Sequence, residues 1–372
     1  MTQPFVAPDR LLLGPGPTNT DPRVLTATAQ PTIGHLDPAF QALMEEIKDQ
    51  LRTLFKTKNK MTMPISAPAS LAMEMGLINL LEPGDKAIIA QNGVFGGRMA
   101  DIVKRAGAEL VLIQFDWGKP VDVEVVAETI KAHPDAKVLG FVHAETSTGV
   151  QSDAYALCAL AQDAGMYTVV DTVTGLGGIE VDVDGWGADV VYSGSQKCLA
   201  VPPGLAPITF NERAIEVIKN RKTPVQSWFM DLNLVLGYWS GDGARSYHHT
   251  APVNALYGLH EGARLALEEG IDARIARHKN AYDRLAQGMA ELGLDFFVDA
   301  EHRLPQLNCV NIPEGVNDAE VRARLLKEYD IEIGGGLGPM AGKIWRIGLM
   351  GGNANPASVE KVLAALKTVL GK

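Results

Sequence analysis

Between about residues 60 and 210, short apolar runs alternate with longer amphipathic ones, and this rhythm constrains the fold more than any other feature of the chain. KAIIAQ (86–91), ELVLIQF (109–115), KVLGFVHAE (137–145), YTVVD (167–171), ADVVYSG (188–194) and LAPITF (205–210) read as strands. The segments 68–85, 96–108, 121–136 and 153–166 between them read as helices; in the first, Leu71, Met75, Ile78 and Leu81 mark one apolar face and Pro83-Gly84 stops it. Near-continuous apolar strands separated by helices predict an α/β fold, a mostly parallel sheet covered by helices on both faces. After about residue 255 the pattern changes to two long helices, 251–270 and 271–293, and then to a shorter α+β stretch. The expected organisation is an N-terminal arm (1–16), a large domain (17–268) and a small C-terminal domain (269–372).

Composition narrows the function. The 372 residues carry a net charge of −10, which argues against broad binding to nucleic acid or an anionic membrane. Cys158, Cys198 and Cys309 are scattered and form no CxxC pair, which fits a reducing compartment and not a structural zinc site. No apolar run reaches membrane-spanning length and the first residues lack a signal-peptide pattern, so a soluble cytoplasmic protein is expected.

Three strand ends carry unusual chemistry. YTVVD delivers Asp171, GFVHAETSTGV delivers His143, Glu145, Thr146 and Ser147, and VVYSGSQK delivers Lys197. In an open α/β sheet these ends face one ligand-binding crevice. An acid and a lysine there read either as a plain salt bridge or as the pair pyridoxal phosphate requires: an amine for a Schiff base and a carboxylate for the pyridine nitrogen. SAPAS (66–70), opening an apolar helix, offers N–H groups to a phosphate, and Phe95 offers an aromatic face. GPGPTN (14–19) is glycine-rich but lacks the Gly-Lys-Ser/Thr ending of a nucleotide loop. His248 and His249 have no accompanying acidic pattern and read as packing residues, not metal ligands.

Taken in order, LLLGPGPTNTDPRVL, MEMGLINLLEPGDKAIIAQNGVFGGR, HAETSTGV, VVDTVTGLGG, SGSQKCLAVPPGL, YHHTAPVNALYGLHEG and GGGLGPMAGKIWRIGLMG resemble the class V aminotransferases of the alanine-glyoxylate and serine-glyoxylate type over nearly the whole chain. The resemblance implies a fold-type-I enzyme with a seven-stranded sheet, pyridoxal 5′-phosphate as cofactor and a homodimer with its active sites at the subunit interface. It implies that Lys197 is the Schiff-base and proton-shuttling residue and that Asp171 pairs with the pyridinium. Phe95 stacks on the ring, Val173 packs under it, and Thr146 lies near its hydroxyl. Gln196 and the turn Pro68, Ala69 and Ser70 hold the phosphate; Tyr247 and Thr250 reach the neighbouring subunit's phosphate; Arg346 pairs with the substrate carboxylate.

Two departures stand out. Pro68 interrupts a turn that is Ser-Gly-rich in similar chains and has no N–H to give. Phe95 stands where tryptophan is common in the similar animal chains, so stacking is kept and an indole N–H is lost. The expected reaction moves an amino group from a small L-amino acid, alanine or serine, to glyoxylate or another small 2-oxo acid. Other donors such as aspartate, pyruvate as acceptor, a cysteine desulfurase-like lyase, a cofactor-free aldolase and a non-catalytic ligand sensor are the competing readings.

Overall fold

The structure, a computed structural model, describes residues 2–239 and 245–372. Seven strands form the central sheet: β1 (Met61–Ile65), β2 (Lys86–Gln91), β3 (Glu109–Gln114), β4 (Val138–Val142), β5 (Tyr167–Asp171), β6 (Val190–Tyr192) and β7 (Ala206–Phe210). Their spatial order is β1-β7-β6-β5-β4-β2-β3, and only β7 runs against its neighbours. This is the seven-stranded, mostly parallel α/β sheet that the alternation and the resemblance predict. The strand Tyr167–Asp171 falls on its expected residues, and the expected helices are found within a few residues of their limits.

Local chemistry explains the helix starts. Asp37 caps the helix Pro38–Leu54, Asp153 caps Ala154–Asp163 and Asn355 caps Pro356–Leu370, each accepting a backbone N–H of the first turn. Two of these helices open with proline at the first position, where its missing N–H costs nothing. The sequence reading did not single out Pro38–Leu54, although Phe40, Met44, Ile47, Leu51 and Leu54 bury one face of it at helical spacing. It also did not single out β1, which contains Pro64. The register sets Pro64 opposite Pro207 of β7, so the two residues without an N–H share one rung.

Apolar packing falls into two main clusters. The larger surrounds the seven-stranded sheet, and the smaller joins Leu285, Val310, Trp345, Ile347 and Leu366 from the C-terminal part. That part holds a three-stranded antiparallel sheet, with β10 (Ile344–Gly348) between β8 (Leu307–Asn311) and β9 (Gly334–Gly335). Leu13 belongs to the smaller cluster, because the short strand Leu11–Leu12 pairs with Ile331–Glu332. Neighbouring residues here take different partners: Ile331–Glu332 meet the N-terminal arm and Gly334–Gly335 meet β10. No helix among the described residues is long and apolar enough to cross a membrane.

The arm lies close against β10. Gly348 N donates to Leu13 O at 2.8 Å, and a methyl group on Gly348 would meet Gly14 O at 2.1 Å. Backbone cannot swing aside as a side chain can. Gly348→Ala is expected to destabilise the fold by about 1–3 kcal/mol through overpacking, read as a lower urea midpoint; an unchanged midpoint would show that the arm moves freely.

Candidate active site

Strands β4, β5 and β6 are neighbours, so the residues that follow them emerge at one edge of the sheet. After β6 the chain turns sharply. Ser193 N donates to Pro207 O at 2.8 Å, Ser195 Oγ to Pro202 O at 2.8 Å, and Ala200 N to Lys197 O at 2.9 Å. This loop holds Lys197 inward, with 8% of its surface exposed. Its Nζ donates to the carbonyl of Pro15 in the N-terminal arm. Gly16, at φ +104°, lies against the same side chain: a methyl group there would meet Lys197 Cδ at 2.7 Å and Nζ at 2.8 Å. Burial, and next the nearby Arg346 charge, lower the Lys197 amine to about 8.

Asp171 ends β5 and is 2% exposed. Tyr192 Oη donates to its Oδ2 at 2.7 Å and Val173 N to its Oδ1 at 2.8 Å. The register of β5 and β6 sets Tyr192 beside Asp171. Burial pushes the carboxyl up to about 7 in spite of these donors. Arg346, on β10, is 7% exposed. Its Nε donates to Gly335 O at 2.8 Å and its Nη1 to Thr146 O at 3.2 Å. Asp171, Lys197 and Arg346 form no ion pair with any described residue. A plain salt bridge between Asp171 and Lys197 is thereby ruled out, as is a structural ion pair on Arg346.

The remaining candidates gather around these three. Thr146 is buried and shares a hydroxyl–hydroxyl hydrogen bond with Thr174. The helix Ala69–Leu80 starts after Pro68, which gives no side-chain cap, so the first-turn N–H groups of Ala69 and Ser70 have no cap within the helix. Pro68 thus shapes the turn and donates nothing. A methyl group on Gly194 would meet Gln196 Oε1 at 2.9 Å, and Ala69 Cβ and Val173 Cγ1 each at 3.3 Å. Gly194 therefore leaves a cradle where Ala69, Gln196 and Val173 converge. Gln196 Oε1 is buried there with no hydrogen-bond partner. Phe95 follows Gly93, an N-cap glycine, on the helix Val94–Arg105. Its N–H donates to Glu145 Oε2 at 3.3 Å, and Ser147 N and Oγ donate to Glu145 Oε1 at 2.9 and 2.6 Å.

Lys197, Asp171 and Arg346 thus give the described residues a buried amine, a buried carboxylate and a buried guanidinium, none of them in an ion pair. Residues 11–344 match the family model described as aminotransferase class-V. The chain is similar to the (S)-ureidoglycine–glyoxylate transaminase of Bacillus subtilis strain 168, at 39% identity over 98% of this chain and 91% of that one. It is similar to the alanine–glyoxylate aminotransferase of Drosophila melanogaster, at 38% identity over 100% and 94%. Its fold matches the crystal structure of an alanine–glyoxylate aminotransferase from Nostoc, with a TM-score of 0.97, 43% identity and coverage of 100% and 97%. The chain belongs to the class-V aminotransferases.

Other parts of the aminotransferase site are less direct. Tyr247 is 63% exposed; its hydroxyl lies 3.2 Å from Thr250 Oγ1, and neither side chain hydrogen-bonds to the residues around Lys197. His249 Nε2 bonds Ser66 Oγ at 2.8 Å and His248 stacks on Trp228, while no cluster among the described residues could hold a metal. Arg245 is held by Glu45 and Tyr238 O, so it is not a free cation for substrate. Cys309 is buried in β8 opposite Arg346, and burial pushes its thiol up to about 12, which suits packing and not nucleophilic attack. Sequence reasoning missed Pro15 and Tyr192 as partners of the two key charges. A carbonyl has no sequence signal; Tyr192, one strand over from Asp171, had one.

These shifts have opposite signs in stability. Between about 8 and its ordinary 10.5, Lys197 holds fewer protons folded than unfolded, so its contribution rises with pH. Between its ordinary 3.8 and about 7, Asp171 holds more protons folded, so its contribution falls as pH rises. In ligand-free protein Asp171→Asn is expected to flatten the fall of unfolding temperature across that window, and an unchanged slope would show that Asp171 ionises freely. Competitive labelling with acetic anhydride, read by mass spectrometry, is expected to titrate Lys197 with a midpoint near 8. A midpoint near that of surface lysines would contradict its burial.

Proposed function

We propose that this enzyme is a pyridoxal 5′-phosphate-dependent aminotransferase. It moves the amino group of a small L-amino acid, alanine or serine, to glyoxylate or another small 2-oxo acid in a ping-pong cycle. The observation that carries this reading is the convergence of Lys197, Asp171 and Arg346, buried and without ionic partners among the described residues. Unpaired buried charges are expensive and rare, and ones that face a crevice await charge from a ligand. The residues fit the cofactor on structural grounds: first-turn N–H groups, a glycine cradle and a carboxylate already fixed by two donors.

When bound, the cofactor supplies an electron sink that stabilises negative charge at the substrate α-carbon. Asp171, oriented by Tyr192 and Val173 N, would keep a proton on the pyridine nitrogen. Ala69, Ser70 and Gln196 would hold the phosphate, and Phe95, Val173 and Thr146 would contact the ring. Lys197 works as a base because burial leaves a large neutral fraction near pH 8. Its Nζ would take the proton from the substrate α-carbon and pass it on to the bound cofactor in one half-reaction, and carry a proton the opposite way in the other. Arg346, held at its Nε and Nη1 by two carbonyls, presents its remaining donors to the substrate carboxylate.

The names of the relatives support glyoxylate as acceptor, since it appears in both activities. A donor with one carboxylate is favoured because Arg245 is occupied. The reading includes a homodimer in which the exposed Tyr247 and Thr250 complete the other subunit's phosphate site, and a cytoplasmic location.

The test is an absorption spectrum of the purified protein during titration with alanine, serine, aspartate and ureidoglycine. A near-visible band that is lost with alanine or serine and restored by glyoxylate is expected. Lys197→Ala is expected to lose both band and turnover. Arg346→Gln is expected to lower kcat/KM for both substrates by roughly 10–100-fold, the loss of a charged hydrogen-bonding group worth about 1.5–3 kcal/mol. Protein that stays colourless after incubation with pyridoxal phosphate would overturn the reading.

A further inference from the structure

Arg98 has no part in the scheme above, yet it touches two of its components. It follows Phe95 by one helical turn on Val94–Arg105. Its guanidinium carbon lies 4.9 Å from the Phe95 ring centroid, and its Nη1 donates to Ser70 Oγ at 2.7 Å. Glu74 and Asp101 line the same surface cleft, but neither pairs with it. An exposed arginine without a carboxylate ordinarily extends into water and keeps its rotamer freedom. This one is folded over a ring and tied to a hydroxyl in the first turn of Ala69–Leu80.

The two contacts join the ring-stacking and phosphate-holding parts of the site. A phenyl ring has no polar handle by which to fix its rotation. A planar guanidinium stacked on one face supplies such a restraint, and an ammonium does not. The hydroxyl of Ser70 in turn fixes the guanidinium. The angle of Phe95 is thereby set relative to the phosphate turn.

We propose that Arg98 is a positioning residue that acts through Phe95 to retain the amino form of the cofactor between the two half-reactions. This rests on the cofactor assignment above. The aldehyde form has Lys197 to hold it covalently, whereas the amino form has no covalent tether and depends on its noncovalent contacts, ring stacking among them. A ring-positioning residue therefore matters most for the amino form.

The probe is pyridoxamine 5′-phosphate, titrated into ligand-free dimeric or monomeric enzyme as it purifies, with binding measured by equilibrium dialysis. Arg98→Met is expected to weaken binding about tenfold while the unfolding temperature of ligand-free protein stays unchanged. In a Phe95→Ala background the same substitution is expected to have an effect below about twofold, because the ring through which it acts is gone. Arg98→Lys is expected to behave like Arg98→Met. Unchanged binding in Arg98→Met would overturn the inference. So would an equal loss in the Phe95→Ala background or full rescue by lysine, since either would mean that the charge acts directly on the phosphate. Wild-type protein that binds no pyridoxamine phosphate would instead overturn the cofactor assignment, and this inference with it.

Discussion

Three ionisable side chains buried at one edge of a sheet, none with an ionic partner among the described residues, set the terms for the rest of the molecule. Taking a charge out of water costs several kcal/mol unless other groups replace its solvation. Here the replacements are neutral dipoles: Tyr192 Oη and Val173 N for Asp171, Pro15 O for Lys197, and Gly335 O and Thr146 O for Arg346. They compensate in part, and the rest appears as titration shifts, with the carboxyl raised to about 7 and the amine lowered to about 8. Both shifts move each group toward its neutral form relative to its ordinary behaviour. A direct Asp171–Lys197 ion pair would be more comfortable and would leave a lysine too well protonated to act.

The three groups come from different parts of the chain, and the N-terminal arm joins them. Lys197 and Asp171 belong to the seven-stranded sheet, whereas Arg346 belongs to the three-stranded one. The arm pairs with Ile331–Glu332, abuts Gly348 and is held at Thr18 and Asn19 by the Asn353 side chain. It then reaches across so that Thr18 N meets Gln196 O and Pro15 O meets Lys197. A second tie lies behind the lysine loop, where Arg274 Nη2 donates to Cys198 O, and Glu269 receives both Arg274 and Arg277. Any shift of the C-terminal part therefore moves Arg346 and the lysine-capping carbonyl together.

What was legible in the sequence follows from which signals are local. A five-residue apolar strand ending in an acid, a lysine in a Ser-Gly turn and an arginine inside KIWRIG are each odd in place, and the structure brings the acid and the arginine near enough to act on the lysine. Helix Pro38–Leu54 was overlooked despite a regular apolar face, because its polar residues lower the average hydropathy of the stretch. Strand β1 was overlooked because proline argues against strands, and only the pairing of Pro64 with Pro207 makes it tolerable. The Pro15 carbonyl could not be read at all: every residue has one, and its use depends on a contact between residues far apart in the chain.

Glu145 shows how a residue remote from the reacting atoms can still be fully determined. Its two oxygens accept from Ser147 N, Ser147 Oγ and the N–H groups of Phe95 and Gly96. Donors approach from both sides, so only an acceptor-only group satisfies them all; a glutamine would aim its NH₂ at another donor. Burial raises the carboxyl, and the same donors oppose that rise. There is no room to alter the arrangement from the other side either, since a methyl group on Gly93 would meet Glu145 Cδ at 2.4 Å. The helix that carries Phe95 is thus bolted to the strand end that carries Thr146, and the Thr146 carbonyl holds Arg346. The stacking ring and the substrate arginine share one frame because a single buried carboxylate has no other way to fill its lone pairs.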